Sequence, residues 1–182
     1  MNSRKQNLGV TLIELVVAVS VLAIAVSLAA PSFSDTMRNQ RLSSRSFALQ
    51  EDLAYARAEA VKLQGNVALA AKPGGLTNGW VVFEDTDADE VLDRSERTLR
   101  EQGEMTGGYT MAAATGAGNP KAGVGFDRRG ALVGRGTLAV LICAPNWRAD
   151  KDKDYARNLR VSSNGRAESA KGKGSNRGLS CS

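Results

Sequence analysis

"GVTLIEL", Gly9 to Leu15, sets a carboxylate, Glu14, near the start of an apolar run that continues from Val10 to Ala30 with no other charge. A charge inside a bilayer is costly, so an ionisable residue there marks a functional position by default. The run is close to the ~20 residues with which a helix crosses a membrane. Arg4 and Lys5 precede it, and such a positive flank keeps residues 1–8 in the cytoplasm and sends the rest outward. Three readings compete for this segment. A cleaved secretory signal would use Ser27-Leu28-Ala29 as its small-x-small site, and a plain single-span anchor is the second. Both leave Glu14 without a reason, and the run is long for a signal core. The third gives Glu14 a role.

Composition narrows the field. The chain has 182 residues, enough for one domain of ordinary size with a segment to spare. Its 24 Lys and Arg against 19 Asp and Glu leave +5, which suits nucleic acid, anionic lipid or neither. Histidine is absent, which removes the commonest general base and most zinc sites. The two cysteines, Cys143 and Cys181, both lie near the C-terminus.

Beyond the apolar run, Pro31 is expected to kink a helix rather than end it. A second helical pattern follows, with Leu49, Leu53, Ala56, Ala60 and Leu63 at spacings of four, three, four and three. Gly65 reads as its C-cap, and Arg57, Glu59 and Lys62 read as its solvated face. Short strands are expected at 66–71, 80–84, 98–101, 109–113, 123–127, 138–143 and 159–163, separated by Gly-rich turns. Such short strands need a helix or a second layer to pack on. The fold class is therefore α+β, with a long N-terminal helix under a head of antiparallel strands. No internal repeat is visible.

A short basic leader ending in Gly9, followed by Val-Thr-Leu-Ile-Glu-Leu, resembles the type III signal of type IV pilins and type II secretion pseudopilins. The resemblance implies cleavage after Gly9 by prepilin peptidase and N-methylation of Val10. The family usually carries Phe where this chain has Val10. It also implies a role for Glu14, paired in a helical bundle with the N-terminal ammonium of a neighbouring subunit. A neighbour docked out of register would leave both charges unpaired, so Glu14 is read as an assembly residue. "LAYARAEAVKLQGNVAL", "GWVVFEDTDADEVLDRSERTLR" and "GVGFDRRGALVGRGTLAVLICAP" resemble FimT/FimU-type minor pilins and H-type pseudopilins in particular. The expected organisation is a leader over 1–9, a transmembrane and filament-core helix over 10–31, an amphipathic helix over 32–65 and a β-rich head with a basic tail over 66–182. The membrane is the inner one, with the head periplasmic, where an oxidising compartment favours a Cys143–Cys181 disulfide.

Two charged stretches invite chemistry. Asp85, Asp87, Asp89, Asp93 and Glu96 fall at the first, third, fifth, ninth and twelfth places of a calcium-loop pattern, with the aliphatic Leu92 at the eighth. The sixth place, normally Gly, is Glu90, and no helix precedes the segment, so a solvated acidic turn is the competing reading and no metal is assigned. From Tyr155 onward the chain carries Arg157, Arg160, Arg166, Lys171, Lys173 and Arg177 against Glu168 alone. A Gly-rich basic tail of this kind grips phosphates with salt-sensitive affinity. Some FimT-type competence pilins bind DNA through Gly-Arg-x-Arg, of which Gly165 and Arg166 match while Glu168 occupies the second arginine position. DNA capture by Arg166, Lys171, Lys173 and Arg177 therefore stands beside a solvated, tethered loop. No catalytic constellation forms and no cofactor is expected. The sequence leaves three functions open: a minor pilin assembled with other pilins near a pilus tip, a DNA-binding competence pilin, and an H-type pseudopilin.

Overall fold

The computed structural model describes residues 10–115, 123–145, 156–172, 175–176 and 179–181, with backbone alone for 28–32, 115, 135, 175–176 and 180. The chain forms two units, Met1–Met37 and Arg38–Ser182. Helix α1, Leu12–Leu63, belongs to both and runs unbroken past Pro31. Among the described residues no helix is long and apolar enough to cross a membrane. Side chains of α1 are described from Leu12 to Ser27 and again from Phe33 onward. Within the first unit those side chains, from Leu12 to Val26, are exposed.

In the second unit α1 buries Leu42, Ser46, Leu49, Leu53, Ala56 and Ala60, a stripe at the helical period. Leu63, expected at its end, is 39% exposed. The helix closes one residue earlier than Gly65 suggested. Gln64 takes the left-handed turn at φ 53, and the Gly65 and Gln64 amides donate to the Ala60 and Val61 carbonyls. That is a Schellman cap in which glycine occupies the position after the left-handed one.

Two four-stranded antiparallel sheets pack on this stripe. Strands β1 (Val67–Ala71), β2 (Trp80–Glu84), β3 (Thr98–Gln102) and β5 (Gly123–Phe126) form sheet A in the order β3-β2-β1-β5. Strands β4 (Thr110–Thr115), β6 (Leu138–Cys143), β7 (Ala156–Val161) and β8 (Ala167–Gly172) form sheet B in the order β4-β6-β7-β8. Two short strands, β9 (Ser175–Asn176) and β10 (Leu179–Ser180), pair with each other. Alternation puts Val67, Leu69, Val82, Val124 and Phe126 of sheet A, with Val140, Ile142, Leu159 and Val161 of sheet B, into one core with α1.

A polar lock fixes sheet A to the helix. Trp80 Nε1 donates to the buried Asp52 at 2.7 Å, and Arg100 Nη1 donates to Asp52 at 2.6 Å and to Glu51 at 2.9 Å. The Arg100 guanidinium also lies 4.4 Å from the Tyr55 ring centroid. A bulge between Val82 and Phe83 aims it there, because the shifted register puts Arg100 opposite the inward-facing Val82.

Candidate functional site

The start of α1 answers part of the question that Glu14 raises. Thr11 precedes the first helical residue, and its hydroxyl accepts the Glu14 backbone N–H at 3.3 Å. Thr11 and Glu14 thus occupy the N-cap and third positions of a T-x-x-E capping pattern, where a carboxylate also suits the positive end of the helix dipole. Gly9 and the leader lie outside the described residues.

The acidic segment between β2 and β3 is organised by its own backbone. Asp85 is fully buried, and its two carboxylate oxygens each accept a backbone N–H, from Asp89 and Glu90, both at 3.2 Å. Burial pushes its carboxyl above the usual range, and those amides only partly offset the cost. Asp87 accepts from Asp89 N–H, Asp89 from Val91 N–H and Asp93 from Ser95 N–H. These are successive Asx turns. Hydrogen bonds from the Ser95 hydroxyl and amide hold the Asp93 carboxyl below its usual range. Glu96 closes the loop by accepting from Thr86 N–H and Asp93 N–H.

The carboxylates of Asp85, Asp87 and Asp89 come within 4.8 Å of one another, and Asp93 and Glu96 are not in that group. Asp93 and Glu96 accept backbone amides of the turn instead. Glu90 does adopt φ 64, the conformation that the missing glycine would have supplied. It uses its carboxylate to accept Gly125 N–H at 3.2 Å. The loop thereby lies over the outer side of sheet A, where a Cβ on Gly123 would stand 2.7 Å from the Glu90 carbonyl oxygen.

A disulfide joins Cys143 to Cys181, with 5.8 Å between the Cα atoms. It lays the C-terminal segment against the outer face of sheet B, where Leu179 and Cys181 pack on Leu141, Cys143 and Ala156. The stretch expected to be a flexible basic tail is, up to Gly172, mostly strand. Of the residues expected to grip phosphate, the structure describes Arg166 and Lys171. Arg157 is buried, donating to the Ser43 hydroxyl at 3.1 Å and the Ala156 carbonyl at 3.0 Å. Arg166 pairs with Glu168 at 3.0 Å, and Lys171 is exposed on β8. Lys173 and Arg177 lie outside the described residues.

Gly165, the other half of the partial Gly-Arg motif, has a structural reason to be glycine. At φ 80, a Cβ there would lie 2.1 Å from the Gly130 carbonyl oxygen and 3.1 Å from Arg57 Nε. The turns 127–130 and 162–165 are thus pressed together under the Arg57 side chain. Leu132 N–H donates to Ser163 O at 3.0 Å beside them. This junction brings Arg57, Arg128, Arg129 and Arg166 to one region. Nothing in the linear spacing of the tail signals it.

The comparisons agree with this architecture. The chain matches the family described as type II transport protein GspH over residues 48–165 and the prokaryotic N-terminal methylation motif over residues 4–30. A crystal structure of the type IV minor pilin FimU of Pseudomonas aeruginosa PAO1 superimposes with a TM-score of 0.56 at 25% identity, covering 73% of this chain and 90% of that one. A second crystal form gives 0.53 at 23% identity, covering 71% and 92%. No curated protein matches the chain. With a methylation motif over residues 4–30, a pilin-like helix-and-sheet fold, and the family match across more than half its length, the chain belongs to the GspH family of pilins and pseudopilins.

Proposed function

We propose that the chain is a structural, non-catalytic minor pilin of a type IV pilus, assembled with other pilins at or near the tip to support pilus biogenesis. The carrying observation is the union of a methylation motif at residues 4–30 with a FimU-like head on one chain. In this reading prepilin peptidase cuts after Gly9 and methylates Val10. Residues 10–31 hold the subunit in the inner membrane before assembly, with the head periplasmic. Glu14 then pairs with the terminal ammonium of a neighbour. Replacing Gly9 by Val should block processing, and a mature protein of unchanged size on a gel would sink the cleavage assignment. Glu14→Ala should be processed and inserted but poorly recovered in filaments, and normal incorporation would defeat the register role.

A pseudopilin of a type II secretion system is the second reading, favoured by the family description itself. Deleting the gene separates the two, because loss of piliation with intact protein secretion supports the pilus and the reverse supports the pseudopilus. DNA capture by the tail has less support. Arg157 is buried, Gly165 is required by packing, and Arg166 faces a carboxylate.

A further inference from the structure

Strand β8 is an edge of sheet B, with β7 on one side only. The Ser162 N–H donates to the Arg166 carbonyl at 3.0 Å, and this phases the ladder. Glu168, Ala170 and Gly172 turn their backbone groups to β7, and Ala167, Ser169 and Lys171 turn theirs away from it. On that open side the Ala167 carbonyl accepts from Gln50 Nε2 at 3.4 Å. Among the described residues no further strand pairs there, and the short strands β9 and β10 lie against β4 and β6. A row of outward N–H and C=O groups is a template for another strand.

The open edge runs into a groove of about 920 Å³. Its floor is the outer side of α1, where Phe47, Ala54, Ala58 and Val61 are all exposed, and Arg166 and Ala167 form part of its wall. At the Phe47 end the helix lies alongside β8, because Ser46 and Gln50 hydrogen-bond Ser169 and Ala167. The charges at the rim are already matched within the chain, Glu51 with Arg100 at 2.9 Å and Arg166 with Glu168 at 3.0 Å. Recognition here therefore falls to backbone groups and apolar contact, which an extended peptide segment supplies together. We propose that an extended, aliphatic segment of a different pilin adds to β8 as a further strand of sheet B and sets alternate side chains on Phe47, Ala54 and Ala58. Main-chain hydrogen bonds give such a contact its affinity, and the apolar floor selects the partner. A head-to-tail contact between copies would propagate without limit, so a subunit present in few copies needs an unlike partner at this edge. The inference rests on the minor-pilin reading and names the surface by which its head meets the next subunit.

The test uses cells making the full chain together with the other pilins of its system, with the photoreactive benzoyl-phenylalanine in place of Phe47. Illumination should link the chain to a different pilin, and mass spectrometry should place the link on an extended segment of that partner. Ser169→Pro removes an N–H that faces away from β7, a change an edge strand tolerates, and should cut the yield about tenfold. Ser169→Ala loses the same hydroxyl but keeps the N–H, and should link as the unchanged chain does. The two should share a urea midpoint, and Lys171→Pro repeats the test at the next outward N–H should Ser169→Pro unfold the head. Ala58→Glu, on the exposed floor, should also abolish the link, whereas high salt should leave it intact. A link indifferent to both proline variants would overturn strand addition, as would a link only to another copy of this chain or a yield that collapses in salt. No link from position 47, while the same probe in place of Val19 links pilins, would overturn the proposal and leave the minor-pilin reading standing. Failure at both positions would sink that reading as well.

Discussion

Sheets A and B meet the same problem and solve it differently. Each has one face on α1 and an outer face with buried apolar residues, Ala68, Ala70 and Phe83 on sheet A and Leu141, Cys143 and Ala156 on sheet B. Sheet A is covered by an acidic loop that carboxylates hold through backbone N–H groups, at Asp85, Glu90 and Glu96. Sheet B is covered by the C-terminal segment, which one covalent bond holds. The contrast follows from what ties each cover. The β2–β3 loop is tied at both ends by paired strands, so short-range hydrogen bonds suffice to shape it. The segment over sheet B contributes, among the described residues, only the two-residue strands β9 and β10, which cannot hold it alone.

The disulfide should therefore carry the largest single effect. Cys143 and Cys181 are 38 residues apart, and closing a loop of that size stabilises by roughly 3–4 kcal/mol on the chain-entropy account. The double Cys→Ser variant should lose about that much in urea unfolding. Hydrogen exchange should rise first along β6 and β7. Equal loss of protection around Glu90 would break the comparison, since it would mean that the two covers are one cooperative unit.

Asp85 should come next. Asp85→Ala leaves the Glu90 amide without its acceptor, while the Asp89 amide keeps Asp87, and should cost about 2 kcal/mol. Its pH dependence has a definite sign. Burial raises the folded carboxyl above the unfolded value of about 3.9, so the folded state holds the proton more tightly. Asp85 thus adds stability below the unfolded value and loses it as pH rises through the folded one. Against Asp85→Asn, which does not titrate, the wild type should gain as pH falls toward about 4. A difference that is flat with pH, or that moves in favour of Asn, would show that Asp85 is not the buried anchor of this loop.

How much of this was legible in the sequence differs between the covers as well. The inner stripe of α1 follows from periodicity, because burial on one face writes itself into residue spacing, whereas the strands over 80–84 and 138–143 are short apolar runs bounded by turn residues and buried on both faces in β6. The acidic loop was legible as an acidic turn, with a calcium pattern beside it. Carboxylates at alternate positions satisfy a calcium pattern and a series of Asx turns equally well, and only the partner atoms distinguish them. β8 was not legible. Ala167, Glu168, Ser169, Ala170, Lys171 and Gly172 carry little β propensity, and their strand is imposed by pairing with β7. The arginine junction was invisible for the same reason, since Gly130 and Gly165 meet only after both sheets have formed.

The smallest expected effects compare one glycine from each sheet. A Cβ at Gly123 would meet the Glu90 carbonyl oxygen at 2.7 Å and Glu90 Cβ at 3.2 Å. The first is backbone in a closed loop, so the acidic cover must shift as a body, and Gly123→Ala should cost about 1–3 kcal/mol. At Gly172 the nearest atom is the Asn158 amide nitrogen, at 1.9 Å, which is closer still. Asn158 Cγ stands at 2.6 Å as well, so the whole side chain must swing away from its rotamer rather than turn about its terminal bond. A single side chain still gives more readily than a closed backbone loop, and Gly172→Ala should cost about 0.5–1.5 kcal/mol. The ranking runs against the distances and depends wholly on what each methyl would push. Paired urea curves decide it. If Gly172→Ala proves the costlier change, Asn158 is fixed in place by its neighbours, and the cover of sheet B is held by more than its disulfide.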